Sequence, residues 1–347
     1  MRVSGAFSYR SNGISSKIVG GKLNNGILDG NHTIYLLAPF LHSKSGIGLS
    51  FSNYLWAQTM ENTTTVSNYL SLVKFSHTVF AMPFALIGFF LAVNTTSSEM
   101  EWSLLLKVVL CMVLARNAAM AFNRYIDRDI DSRNPRTAIR EIPSGVVKAN
   151  AALAFVVLNS LAFVAVTWFI NPLCFYLSPV ALAVVLGYSL TKRFTALCHL
   201  VLGIGLGLAP IGAYLAVTGQ FAILPLLFSF AVLFWVSGFD IIYALQDEEF
   251  DRSKGLFSIP VWLGKSKALR LSEGLHIFTA GLLFIAGRTG DFGALYWVGY
   301  TSFLGLLIYQ HTIVKPNDLS RVNIAFFTTN GVASVFFACC VITDLQL

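Results

Sequence analysis

The 347-residue chain is predicted to be an all-α integral membrane protein with nine transmembrane helices, and three observations support that prediction. Hydrophobic residues make up 55% of the chain and charged residues 12%, about half the charged share of an ordinary soluble domain. Apolar runs of about 20 residues, the length that crosses a bilayer as a helix, recur from residue 75 onward, and mean hydropathy is +0.67. The third observation is where the Lys and Arg residues fall. The formal charge of +7 could suggest nucleic acid, but the basic residues follow membrane topology, so no nucleic-acid partner is expected.

The nine spans are predicted at roughly 75–94, 102–126, 150–170, 173–190, 197–217, 221–245, 269–287, 292–313 and 322–342. Six basic residues lie at or beyond the end of span two (Arg124, Arg128, Arg133, Arg136, Arg140, Lys148) and two follow span four (Lys192, Arg193). Five follow span six (Arg252, Lys254, Lys265, Lys267, Arg270), and two follow span eight (Lys315, Arg321). The opposite-side connections hold only Arg288. Fifteen against one is a strong positive-inside bias, and it assigns the cytoplasmic side to the long connections after spans two and six. The opposite connections, Asn171-Pro172 and Thr218-Gly-Gln220, read as tight turns. Spans two to four and six to eight also share an order of acidic motif, basic loop and hairpin.

Residues 1–59 differ in character, being rich in Gly, Ser and Asn with one apolar patch at 34–41. That patch is too short to span a bilayer, and the segment lacks a signal-peptide layout. The expectation is a disordered extension, or a start assigned upstream of a natural start at Met60. N-terminal sequencing of the native protein tests this, and a mature chain beginning at Met1 contradicts it. Residues 60–347 form the membrane domain. The five cysteines (Cys111, Cys174, Cys198, Cys339, Cys340) lie in or beside apolar runs without metal-ligand spacing and read as small buried hydrophobes.

The chemistry concentrates in two stretches, since eight of the 17 acidic residues fall within 123–131 and 240–251. In Asn123-x3-Asp127-x3-Asp131 the four-residue spacing puts the three side chains within a ~80° sector of a helix face. Tyr243-x3-Asp247-x3-Asp251 repeats the spacing at the end of another apolar run. Carboxylates at membrane depth are costly unless paired, hydrated or bound to metal. Hard oxygens on one face suit Mg²⁺, which takes one or two carboxylates together with substrate phosphate oxygens. One such motif alone could be solvated charge at a helix end; two on the same side point to a metal–diphosphate clamp.

The nearby cations fit a departing diphosphate. Tyr188 and Lys192 are four apart at the end of span four, Lys254 follows Asp251 by three, and Arg136 follows Asp131 by five. Each also serves as a topology-setting charge. Arg116 lies inside span two, seven residues before Asn123, on the motif face and about 10 Å deeper. A guanidinium there needs an anion, either a substrate carboxylate or a motif Asp. Lys74 and His77 stand at the mouth of span one, where they could contact phosphate, although His77 also reads as a helix-end hydrogen-bonder. His199 and His276 give no functional signal. Gly203, Gly205, Gly207 and Gly212 in span five suit either close helix approach or room for an apolar ligand. Gly238-Phe-Asp240 is expected to bend span six ahead of the second motif.

From about Lys74 to the C-terminus the chain resembles the UbiA-type intramembrane aromatic prenyltransferases. The two acidic motifs carry the resemblance, with Tyr188-x3-Lys192-Arg193-Phe194-Thr195 between them and Lys74-Phe-Ser-His77 before them. The segment 134–143 is similar to the 4-hydroxybenzoate polyprenyltransferase-like branch, but Glu141-Ile142 separates Arg140 from Pro143 where other members have Arg-Pro. The resemblance implies a nine-helix bundle around a central cavity, with a lateral opening for a polyprenyl tail. It implies that Asn123, Asp127, Asp131, Asp247 and Asp251 hold Mg²⁺ and diphosphate, assisted by Tyr188, Lys192 and Arg136. Tyr243 and Lys254 belong to the same expected substrate site.

The reaction expected is Mg²⁺-dependent transfer of a polyprenyl chain from its diphosphate to an aromatic acid, foremost 4-hydroxybenzoate, in quinone biosynthesis. Arg116 is the candidate anchor for the acid. A dihydroxynaphthoate of menaquinone synthesis, a haem precursor or a phospholipid-type alcohol is the alternative acceptor. An ion-coupled transporter is the more distant alternative, and it predicts broken helices with charges near the midplane, whereas these carboxylates cluster at helix ends. The Asp-Gly…Ala-Arg pattern of CDP-alcohol phosphotransferases is absent. The implied setting is a bacterial-type inner membrane with the site facing the cytoplasm and no obligate protein partner.

Overall fold

The structure, a computed structural model, describes residues 68–69, 71–73, 80–96 and 99–347. The expected N-terminal extension, Met60, Lys74 and His77 lie outside the described residues. Among those described, the fold is helical, with one isolated bridge between Lys315 and Asp318. The helices are α1 (Met82–Thr96), α2 (Trp102–Ile126), α3 (Arg128–Asp131), α4 (Ala149–Trp168), α5 (Pro172–Thr191) and α6 (Cys198–Thr218). They continue as α7 (Ile223–Ala244), α8 (Glu248–Ser253), α9 (Ile259–Leu263), α10 (Lys265–Thr289), α11 (Ala294–Ile313) and α12 (Asn330–Asp344). A 3-10 turn, Leu245–Asp247, joins α7 to α8, and a π-turn, Ile324–Thr329, leads into α12.

Among the described residues, seven helical segments are long and apolar enough to cross a membrane. The other two predicted spans hold helices that fall short. α1 has 15 residues, and α11, though 20 long, ends in polar Gln310, His311 and Thr312.

The tight turns follow from local chemistry. Asn171 caps α5 by accepting from the Cys174 amide at 2.8 Å, with Pro172 pre-set for the first helical turn. Its amide also donates to Leu215 O at 2.8 Å, tying the start of α5 to the end of α6. α6 stops at Gly219, whose φ of 64° suits glycine. Across the bundle, Asp344 at the end of α12 caps α11, accepting from the Gly293 amide at 2.7 Å and the Leu295 amide at 3.1 Å. Asp344→Ala is therefore expected to lower stability by about 1–2 kcal/mol, read as a reduced thermal midpoint in detergent; an unchanged midpoint contradicts the cap.

Large apolar side chains such as Leu158, Tyr176 and Ile277 face outward, as lipid-facing residues do. Because lipid is as apolar as the helix faces, association relies on close packing. The packed centre is aromatic, with Phe84, Trp235, Phe303 and Phe337 fully enclosed. Trp235 donates its indole N–H to Asn330 Oδ1 at 2.9 Å, and Asn330 in turn donates to the Ala325 carbonyl freed by the π-turn. A Cβ at Gly88 would collide with the Pro210 carbonyl of α6, and one at Gly203 with the Leu233 carbonyl of α7. At Gly207 the added carbon would stand 2.8 Å from Ser229 O.

Two expectations need correction. α7 continues unbroken through Gly238, where the missing Cβ makes room for the His276 ring instead of a bend. Ser272 Oγ donates to the Gly238 carbonyl at 2.7 Å, and His276 reaches Trp235 O at 3.2 Å and His311 at 2.7 Å, so this histidine joins α10 to α7 and α11. Of the cysteines, Cys198 is buried, but Cys339 is exposed on α12.

Candidate active site

Both acidic motifs depart from the continuous helix that their spacing suggested. α2 ends at Asp127 (φ −90°, ψ 6°) before α3 restarts, and the 3-10 turn ends at Asp247 (φ −103°, ψ 2°) before α8. Both residues occupy the sparsely allowed bridge region, where many active-site residues sit. The i→i−4 bonds from Asp127 N to Asn123 O (3.0 Å) and from Asp131 N to Asp127 O (2.7 Å) survive, so the motif still follows one helical path through the break.

The motifs line one polar pocket of about 220 Å³ between the ends of α2, α5, α6 and α7. Each of the four motif aspartates is matched with a cation. Asp127 pairs with Arg193 at 3.2 Å, and Asp131 with Arg140 at 2.7 Å. Asp247 accepts from Arg136 Nε at 3.0 Å and from its Nη2, and Asp251 pairs with Lys192 Nζ at 2.8 Å. Asn134 adds a hydrogen bond to Asp247 at 3.2 Å, and Asn123 donates to Asp127 at 3.2 Å. Arg136 also donates to the Tyr243 hydroxyl at 2.9 Å, and that ring lies 4.2 Å from Phe326 of the π-turn, stacked on it.

This pairing has a physical cause. Asp251 is 1% exposed and Asp131 5%, and a carboxylate at such depth needs a hydrogen-bonded counter-charge. Burial pushes the Asp127 carboxyl up, and the Arg193 hydrogen bond offsets only part of that. For Lys192 burial acts downward, but the Asp251 carboxylate outweighs it and holds the ammonium above its ordinary value.

Among the described residues no three acidic, His or Cys side chains converge into a ready-made metal cage. The donor chemistry nonetheless fits a hard cation. The motif ligands are oxygens, and Asp251 Oδ2 is buried without a hydrogen-bond partner. That pattern suits Mg²⁺, which completes its shell with water and substrate phosphate.

A second, apolar cavity of about 380 Å³ adjoins the first, and Tyr188 and Leu202 wall both. Arg116 lines this apolar cavity and not the polar pocket. Its Nε is buried without a hydrogen bond, and among the described residues it forms no ion pair. The α6 glycines divide by face. Gly203 and Gly207 allow close packing on α7, while Gly205 and Gly212 line the cavity, and a Cβ at Gly212 would meet nothing within 4 Å.

Asn123, Arg136, Tyr188, Lys192 and Tyr243 line the polar pocket together with the four aspartates. Lys254 does not; it is exposed, with its ammonium 5.9 Å from the Phe250 ring. In the sequence Arg193 and Arg140 read as topology charges, Arg193 within the Tyr188-x3-Lys192 motif but without a role of its own, and neither Asp240 nor His199, which line the pocket and pair at 2.7 Å, stands out as a site residue. Their signal was faint. Asp240 precedes Asp247 by seven residues, the same interval that separates Arg116 from Asn123.

A polar pocket of paired aspartates and cations thus opens beside an apolar cavity on an all-helical scaffold. Residues 81–333 match the UbiA prenyltransferase family, and the chain belongs to that family and is a prenyltransferase. It is 33% identical over 239 residues to a 4-hydroxybenzoate octaprenyltransferase of Burkholderia cenocepacia, covering 69% of this chain and 83% of the relative. A Paraburkholderia phymatum protein of the same name is 33% identical over 236 residues, covering 68% of this chain and 82% of that protein. Among solved structures, the apo UbiA homolog of Aeropyrum pernix superposes with a TM-score of 0.71 at 32% identity, covering 78% of this chain and 98% of that one. The Archaeoglobus fulgidus UbiA homolog bound to GPP and Mg²⁺ shares the fold, with a TM-score of 0.63 at 19% identity, covering 81% of this chain and all of that one.

Proposed function

We propose that the protein transfers a polyprenyl group from its diphosphate to an aromatic acid, foremost 4-hydroxybenzoate, in a Mg²⁺-dependent reaction at the cytoplasmic face of a nine-span bundle. The observation that carries this reading is the polar pocket of paired aspartates and cations joined at Tyr188 and Leu202 to an apolar cavity. A head bearing several negative charges suits the first compartment and an isoprenoid tail the second. The basic bias of the connections after the motifs supports the cytoplasmic orientation.

In this reading the four ion pairs exchange partners when substrate binds. Asn123, Asp127, Asp131, Asp247 and Asp251 would hold the metal, which when bound supplies positive charge to the diphosphate oxygens. Arg136, Arg140, Lys192 and Arg193, released from the aspartates, donate to the diphosphate and stabilise the charge that builds on it as the allylic C–O bond breaks. Tyr188 stands at the boundary where the allylic carbon would lie, and the apolar walls exclude water from the cation. Arg116 fixes the acid's carboxylate, and the ring carbon ortho to the phenol attacks.

The test is purified protein in lipid with labelled polyprenyl diphosphate and a panel of aromatic acids including dihydroxynaphthoate. Prenylated 4-hydroxybenzoate that disappears with EDTA is expected. Transfer to no aromatic acid, or transfer undiminished by EDTA, refutes the proposal. Gly212→Leu probes the tail compartment. A Cβ there meets nothing within 4 Å and points along the cavity lining, so the variant is expected to fold, favour short donors and lose rate with long ones; unchanged chain-length preference removes the tail from this cavity.

A further inference from the structure

Arg116 and the motif cations account for binding and ionisation, but the reaction also requires a base for the ring proton. The four motif aspartates are poorly suited. In the reading above they would hold the metal once substrate binds, and a carboxylate that ligates a cation must stay deprotonated. Among the described residues lining the pocket, Asp240 is the remaining carboxylate, and it is hydrogen-bonded to an imidazole.

The imidazole belongs to His199 at the start of α6, which is 3% exposed. The buried Ile259 amide donates to His199 Nε2 at 3.3 Å. That nitrogen is therefore the acceptor, so Nδ1 carries the proton and donates it to Asp240 Oδ2 at 2.7 Å. The loop supplying Ile259 is itself fixed, because the Phe257 amide donates to Lys192 O at 2.8 Å. His199 is thus held in a fixed orientation as the donor to Asp240, a carboxylate partly open to the pocket.

Position agrees with this chemistry. Asp240 is seven residues before Asp247 on α7, about 10 Å deeper than the metal-binding carboxylates. His199 is one turn before Leu202, which walls both cavities. The pair therefore stands near the junction where head and tail compartments meet.

We infer that Asp240, oriented by His199, is the base that removes the ring proton, an assignment that rests on the aromatic-acceptor reading above. The acceptor carbon forms its bond to the prenyl carbon as the diphosphate leaves with the C–O electron pair. The proton on that ring carbon passes to Asp240, and the C–H electron pair restores aromaticity. His199 acts as a positioning residue, and the proton on Asp240 returns to water when product leaves.

The experiment compares Asp240→Asn, His199→Asn and His199→Gln with the wild type, as full-length protein in lipid, using Mg²⁺, geranyl diphosphate and 4-hydroxybenzoate with or without deuterium at the ring positions beside the phenol. Asp240→Asn is expected to lower kcat about 100-fold or more with the KM for geranyl diphosphate unchanged. Deuteration, silent in the wild type, should slow this variant because proton removal has become limiting. Asn at 199 keeps a donor in the Nδ1 position and should retain most turnover, whereas Gln keeps only an acceptor for the Ile259 amide and should lose it. An active wild type with full turnover in Asp240→Asn overturns the inference, as does loss of rate without an isotope effect, or a Gln variant as active as the Asn variant. A wild type that prenylates no aromatic acid instead overturns the acceptor reading on which the inference stands.

Discussion

Asp127→Asn and Asp247→Asn are each expected to slow prenyl transfer by at least about 100-fold, the usual effect of removing one charge-stabilising group from such a site. Asn preserves volume and can still accept from Arg193 or Arg136, which these carboxylates now engage. The loss should therefore appear in rate and not in folding. Both residues sit where the helix path breaks into the bridge region, so no neighbouring acid can take over their direction. Asp129 is the control. It lies on α3 between Asp127 and Asp131, but its side chain is 79% exposed and, among the described residues, its one ion pair, to Arg128, spans 4.0 Å. Exposed pairs of that kind contribute little, and Asp129→Asn should leave the rate unchanged. Initial rates in reconstituted lipid decide the matter; either motif variant within about tenfold of wild type contradicts the clamp.

Arg116→Leu should raise the KM for 4-hydroxybenzoate by about 10- to 100-fold, because a hydrogen bond to a charged group contributes roughly 1.5–3 kcal/mol. The affinity for geranyl diphosphate should not change. Stability should move the other way. Arg116 lines an apolar cavity with a buried, unbonded Nε and no ion pair among the described residues. A desolvated guanidinium without an anion is costly, and replacing it with an apolar side chain removes that cost. Retained or raised thermal midpoint together with weakened acceptor binding is the expected signature. An unchanged KM, or a variant that unfolds, assigns Arg116 to structure instead.

Much of this fold was legible from hydropathy and charge, because lipid imposes the same rule on every span. Helix ends near residues 102, 126, 191 and 218 follow from apolar length, and Asn171-Pro172 and Gly219 are turns with local causes. The motif spacing identified the four aspartates because a helix repeats every 3.6 residues. What was not legible depends on neighbours distant in sequence. The breaks at Asp127 and Asp247 are backbone conformations that four-residue spacing conceals. Arg193 and Arg140 look like topology charges until α5 and the loop after α3 bring them to Asp127 and Asp131. Gly238 was misread as a bend because the His276 ring filling its missing Cβ comes from α10. The same limit hid His199, whose partners lie 41 and 60 residues away.

That the two motifs form one site is tested most directly by titrating Mn²⁺, in place of Mg²⁺, into the lipid-reconstituted protein with and without geranyl diphosphate, followed by electron paramagnetic resonance. Weak binding of metal alone and tight binding with diphosphate are expected, since the aspartates are held by Arg and Lys until an anion claims those cations. Asp127→Asn and Asp247→Asn should each abolish the diphosphate-dependent signal. Metal binding that ignores the diphosphate, or that survives in both variants, contradicts a site shared between Asn123–Asp131 and Tyr243–Asp251.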